Sequence, residues 1–154
     1  MSVSNLMSFD NPVFKSYAFY VGVLVLKMLL MSLLTGRMRF KKRVFCNPED
    51  TKGMKNAKVK FDDPDVERAR RAHLNDLENI PVFFVAAWLF LLTDPPVFLA
   101  VNLFRVFAIA RILHTVVYAV KPMPQPARAL SWGVGYGITI YMVVHSLIYY
   151  VKGL

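Results

Sequence analysis

Cysteine is nearly absent from this sequence. Cys46 is the only one, which excludes an intramolecular disulfide framework and leaves no cysteine-based metal site. Acidic residues are scarce as well, 10 against 19 Lys and Arg, for a formal net charge of +9. Hydrophobic residues make up 56% of the chain, against roughly 45–50% in ordinary soluble domains, so a soluble globular fold is excluded. No cleavable signal is expected: the first apolar run begins near Val13, is too long for a signal core, and has no small-residue cleavage site after it.

What is present is apolar length, and positive charge in one place. Nine Lys and Arg lie between Arg37 and Lys60, with Glu49 and Asp50 as the only acids there. Such a cluster beside an apolar run fits a cytosolic membrane loop better than a nucleic-acid surface, so no nucleic-acid partner is expected. Spanning a bilayer takes about 20 apolar residues, and four runs qualify. Tyr17 to Thr35 is interrupted only by Lys27. Ile80 to Thr93 is short, but its helix can begin at the Asp63-Pro64 cap with Asp65 and Glu67 in the first turn. Val97 to Val120 carries Asn102, Arg105, Arg111 and His114, and Ala129 to Val151 carries Gly133, Gly135 and Gly137, which would let another helix approach closely. The chain therefore reads as an all-α membrane protein, a single four-helix domain over 1–154 with helices at about 12–42, 64–93, 96–120 and 126–152 and a basic cytosolic loop at 43–63. With loops one and three basic, both termini lie on the luminal side.

Charge inside a membrane needs a reason, because a central Arg costs about 2.5–3.5 kcal/mol on insertion scales. The topology brings Arg39, the Arg70 to Glu78 stretch, Arg111 to Tyr118 and Arg128 to the cytosolic side. Arg71, Asn75 and Glu78 share one helix face, as do Arg111, His114 and Tyr118. Guanidiniums with an amide, an imidazole, a phenol and a carboxylate suit a ligand with several carboxylates and one amine, the pattern of glutathione. Arg128, at the start of the fourth helix, is the candidate for stabilising its thiolate. A plainer reading makes the Arg68 to Asp76 region a solvated, salt-bridged helix end. Lys27 and His145 lie outside the cluster and read as packing or snorkelling residues. No metal site is expected.

Arg39, the run Phe45-Cys46-Asn47-Pro48-Glu49-Asp50, the Glu-Arg-x-x-Arg-Ala-His-x-Asn-Asp-x-Glu pattern over 67–78, the Ala110 to Thr115 segment and Pro124 to Ser131 together resemble the membrane-associated proteins in eicosanoid and glutathione metabolism. The resemblance covers essentially the whole chain. It implies a homotrimer that binds glutathione between subunits, conjugates it to hydrophobic electrophiles, and reduces lipid hydroperoxides in detoxification. It also implies residence in the endoplasmic reticulum and the outer mitochondrial membrane, in contact with membrane lipid and with the site facing the cytosol. Glutathione contacts are carried onto Arg39, Arg70, Arg71, His73, Asn75, Glu78, Arg111 and Tyr118, with Arg128 catalytic; His114 joins them by its place on the same face. Leu74 and Ala129 side with the family's glutathione transferases, because its prostaglandin E synthases typically have Arg and Ser there. Endoperoxide isomerisation stays the alternative, with Asp50 and Arg128 as its groups, and a non-catalytic membrane scaffold is a further one. Cys46 reads first as an inert loop residue, and alternatively as a regulatory thiol whose thiolate Arg43 and Lys42 would favour.

Overall fold

The structure, a computed structural model, describes residues 3–153; Met1, Ser2 and Leu154 of the expected domain lie outside the described residues. Four helices are long and apolar enough to cross a membrane. Helix one, Pro12–Lys42, starts where the Asn11 side chain accepts the Val13 N–H at 2.9 Å and Pro12 occupies the first turn. It ends at Arg43, whose φ of 54° turns the chain out of the helix. Helix two, Pro64–Leu91, is capped by Asp63, whose carboxylate accepts from the N–H groups of Asp65 and Val66. Pro81 sits inside it on the exposed face, removing the N–H that would have bonded the Leu77 carbonyl.

Asp94, with φ 55°, and the two prolines after it reverse the chain into helix three, Val97–Thr115, which runs on as a wider π-turn over Val116–Val120. Helix four is Ala127–Val151. Helix two thus stops at 91 rather than 93, helix three starts at 97, and helix four is a residue shorter at each end than expected, because caps and turns set these ends rather than hydropathy. The segment expected as a plain loop has structure of its own: Val44–Phe45 pairs in parallel with Lys58–Val59 around a single helical turn at Pro48–Thr51. An ion pair between Lys42 and Asp65 ties its two ends together.

Side-chain contacts fix the directions. Tyr17 packs near Phe104, and Tyr20 near Arg105, so helices one and three run the same way. Tyr17 also donates to the Phe84 carbonyl, and Tyr150 of helix four donates to the Leu89 carbonyl. Helices two and four therefore run opposite to one and three. The core is a layer of Leu24, Ile80, Phe83, Phe90, Leu91, Phe104, Phe107 and Met142, with Phe83 and Phe107 stacked at 3.7 Å between centroids. Ala69, Ala72, Ala86, Ala87, Ala100 and Ala108 are buried between helices, where small side chains allow close backbone approach. The large exposed apolar residues, such as Phe19, Leu26, Leu29, Leu33 and Val85, lie where lipid would take the place of water.

Of the three glycines expected to admit a neighbouring helix, Gly135 alone does so among the described residues of one subunit. A Cβ there would meet Phe107 at 3.4 Å and Arg111 at 3.6 Å, whereas one at Gly133 or Gly137 would meet nothing within 4 Å. Gly135→Leu should therefore push helix four off helix three and destabilise the fold by about 1–3 kcal/mol, while Gly133→Leu should be near neutral. Thermal inactivation of the two variants in the same detergent checks this, and equal midpoints would contradict the close contact at 135.

Candidate functional site

Near the middle of the bundle three charges meet. Lys27 is the sixteenth of the 31 residues of helix one and Asp76 the thirteenth of the 28 of helix two; Arg111 is the fifteenth residue of helix three. Asp76 accepts from Lys27 through one oxygen and from Arg111 Nη2 at 2.6 Å through the other. The same Nη2 donates to Asn75 Oδ1 at 2.8 Å. Asp76 is 0%, Arg111 1% and Lys27 9% exposed, so the cluster is cut off from water and joins three helices. Neither Lys27 nor Asp76 was expected in the site; Asp76 is not part of a solvated helix end, and Lys27 does not merely snorkel. The available signal was the rule that opposite charges in membrane segments pair with each other.

Two cations against one carboxylate leave a single positive charge. Arg111 Nε and Nη1 are buried without an acceptor among the described residues, and so are His114 Nδ1 and Arg128 Nε. In front of this lies a cavity of 260 Å³ lined by Asn75, His114, Tyr118, Gln125, Arg128, Ala129 and Trp132. The Arg128 guanidinium sits 4.9 Å above the Tyr118 ring, a cation–π contact, and His114 meets that ring edge-on at 5.4 Å. The π-turn after Thr115 helps to present Tyr118 here, and Pro126 starts helix four so that Arg128 falls in its first turn. A second cavity of 330 Å³, lined by Glu78, Asn79, Val82, Tyr136, Thr139, Ile140, Val143 and Val144, lies further along helices two and four. Trp132 of the first cavity stacks on Tyr136 of the second at 4.7 Å. The Trp132–Tyr136 pair thus links a cavity with a cationic lining to one that is mainly apolar.

The structure brings together Asn75, His114, Tyr118 and Arg128, with Arg111 directly behind them. Arg111 is not among the residues lining this cavity: its Nη2 donates to Asp76 and Asn75, which places its guanidinium in the wall behind it. Arg71, Asn75 and Glu78 follow one side of helix two but do not share one pocket. Arg71 is exposed, and Glu78 faces the second cavity. Arg70 is folded back onto Glu67 at 2.7 Å, His73 is half-buried away from the cavity lining, and Asp50 is exposed, accepting from Asn47. Arg39 Nη1 donates to Cys46 Sγ at 2.8 Å. Arg43 and Lys42, the cations expected beside that thiol, are engaged instead with the Lys55 carbonyl and with Asp65. Gln125 and Trp132 had no sequence signal beyond their nearness to Arg128. Among the described residues no group of His, Cys, Asp and Glu is placed to hold a metal ion.

The MAPEG family profile matches residues 17–148. The chain is similar to Microsomal glutathione S-transferase 1 of Homo sapiens, at 46% identity over 142 residues, 90% of this chain and 91% of that protein. It is similar to the Bos taurus protein of the same name, at 45% over 151 residues, 95% of each. Prostaglandin E synthase of Bos taurus is 35% identical over 132 residues, 86% of each.

The buried triad makes an asymmetric prediction. Asp76→Asn leaves two buried cations facing each other and should cost about 3–5 kcal/mol, the range for breaking a buried pair from one side. Lys27→Met leaves a neutral Asp76–Arg111 pair and should cost far less. Thermal inactivation in detergent separates the two, and a smaller loss in Asp76→Asn would contradict the charge reading.

Proposed function

The chain belongs to the MAPEG family, and we propose that it is a membrane-bound glutathione transferase that joins glutathione to hydrophobic electrophiles and reduces lipid hydroperoxides. Glutathione is the cosubstrate. The observation that carries this reading is the pair of neighbouring cavities: unpaired, buried guanidinium and imidazole nitrogens at one, and a mainly apolar lining at the other. The cationic cavity suits the carboxylates and thiolate of glutathione. The apolar one, between membrane-spanning helices, suits a second substrate arriving from the bilayer. The similarity to glutathione transferases over nine-tenths of the chain points the same way.

Arg128 is assigned to the thiolate. A free thiol with a pKa of about 8.5 is mostly protonated at neutral pH, and an adjacent cation raises the reactive fraction. In conjugation the thiolate sulfur attacks an electrophilic carbon, the leaving group departs with the bonding pair, and the thiol proton passes to solvent. In peroxide reduction the thiolate takes the terminal oxygen, releasing the lipid alcohol after protonation. A second glutathione then displaces water from the resulting sulfenic acid and leaves glutathione disulfide.

Arg39, Arg70, Arg71, His73 and Glu78 lie off the Arg128 cavity. Glu78 is exposed on a membrane-spanning helix and has no ion-pair partner among the described residues, although uncompensated intramembrane charge is expensive. Both facts support a homotrimer in which a neighbouring subunit completes each site. They fit an endoplasmic-reticulum or outer mitochondrial membrane protein with luminal termini and a site open to the cytosol. Endoperoxide isomerisation is less well supported, since Asp50 does not line the cavity that holds Arg128.

Replacing Arg128 with Leu should leave much of glutathione binding intact while raising the pKa of bound glutathione, read as a shift in the ultraviolet titration of its thiolate. An unchanged titration and an unchanged conjugation rate would remove Arg128 from the mechanism. Glu78→Gln should weaken glutathione binding by about 1–3 kcal/mol if Glu78 holds the ammonium. Calorimetry returning wild-type affinity would leave Glu78 without that role.

A further inference from the structure

Arg105 lines neither cavity, and its position needs its own explanation. It is the ninth residue of helix three, about 12 Å along from Val97, and it is exposed. Phe19 next to Tyr20, and Phe98, Val106 and Ile109 on helix three, are exposed at 63%, 84%, 42% and 48%, so it emerges on an exposed apolar surface. Its Nη1 donates to Asn102 Oδ1 at 3.1 Å and its Nε to the Tyr20 hydroxyl at 3.2 Å. Asn102 lies one turn nearer the end of helix three on the side of the chain termini, and Tyr20, ninth in helix one, is at the same depth. The guanidinium is thus drawn toward that membrane surface and held by two neutral groups. No carboxylate among the described residues pairs with it.

We propose that Arg105 and Tyr20 hold the phosphate of a bilayer phospholipid in the leaflet on the side of the chain termini. One N–H of the Asn102 amide goes to the Phe98 carbonyl at 2.8 Å and its Oδ1 accepts from Arg105, so Asn102 orients the guanidinium. What remains is Nη2 with both its N–H groups, the second N–H of Nη1, and the Tyr20 O–H, which accepts from Arg105 and keeps its own proton to donate. A phosphodiester presents two anionic oxygens to such a fork, with the charge that arginine lacks here. A long basic side chain below the surface of a leaflet reaches the headgroup level in this way. The exposed side chains of Phe19, Val106 and Ile109 offer an apolar surface along which acyl chains would lie. The site rests on different helix faces from the two cavities and stands independently of the proposed chemistry.

The test is native mass spectrometry of the full chain in detergent, titrated with phosphatidylcholine, with diacylglycerol of the same acyl chains, and with inorganic phosphate. Wild type should retain one phosphatidylcholine per subunit, bound roughly tenfold more tightly than by Arg105→Gln, with only part of the loss recovered in Arg105→Lys, which keeps the charge but not the fork. Diacylglycerol should not distinguish wild type from Arg105→Gln, and millimolar phosphate should not displace the lipid. Equal retention by wild type and Arg105→Gln overturns the proposal, as does displacement by inorganic phosphate, which would mark a site for soluble anions. Should Arg105→Gln not fold, Tyr20→Phe decides: a several-fold weaker complex supports the site, and an unchanged one refutes it.

Discussion

The Lys27–Asp76–Arg111 cluster is the interaction on which the rest depends. Three helices contribute one charge each, Lys27 and Asp76 near the midpoints of theirs and Arg111 in the second half of helix three, where water is excluded. In an apolar medium the hydrophobic effect does not hold helices together, so packing and polar contacts must. A carboxylate shared by two cations fixes the relative height of helices one, two and three, because sliding any of them by a turn would strand a charge. The aromatic layer around Phe83 and Phe107 then packs at a register already set, and Gly135 lets helix four close against Arg111 and Phe107.

The same cluster shapes the cationic cavity. Arg111 is held by Asp76 and Asn75 and cannot swing into the cavity, yet its remaining donors are unpaired and its charge is only partly matched. The cavity in front is therefore electropositive before Arg128 is considered. In a low-dielectric surrounding, preorganised charge of this kind acts on an anionic ligand far more strongly than it would in water. Arg128 adds a second cation, packed over the face of Tyr118, and the Trp132–Tyr136 stack stands between this cavity and the apolar one.

Much of the architecture follows from the sequence alone. Four apolar runs, the Asp63-Pro64 start of helix two and the Asp94-Pro95-Pro96 reversal are local signals: bilayer thickness fixes span length, and capping and proline geometry act over a few residues. The family was legible too, since the motif between Glu67 and Glu78 and the segment around Arg128 are specific in spacing, and with it came glutathione as cosubstrate. The face shared by Arg111, His114 and Tyr118 was visible from helical periodicity.

Tertiary structure alone decided which of the polar residues meet. Asp76 and Lys27 are 49 positions apart, and nothing in either neighbourhood shows that one carboxylate serves Lys27 and Arg111 at once. Periodicity places residues on a face but not at a height against another helix; so Arg111 proved to be a brace behind the cavity, and Glu78 fell in a different cavity from Asn75. The thiol of Cys46 likewise met Arg39, seven residues earlier, instead of its nearer neighbours Arg43 and Lys42. The reason is general: a sequence fixes local geometry through short-range sterics and hydrogen bonds, whereas charge pairing depends on the rotation and vertical offset of whole helices, and those are set only when all four pack together.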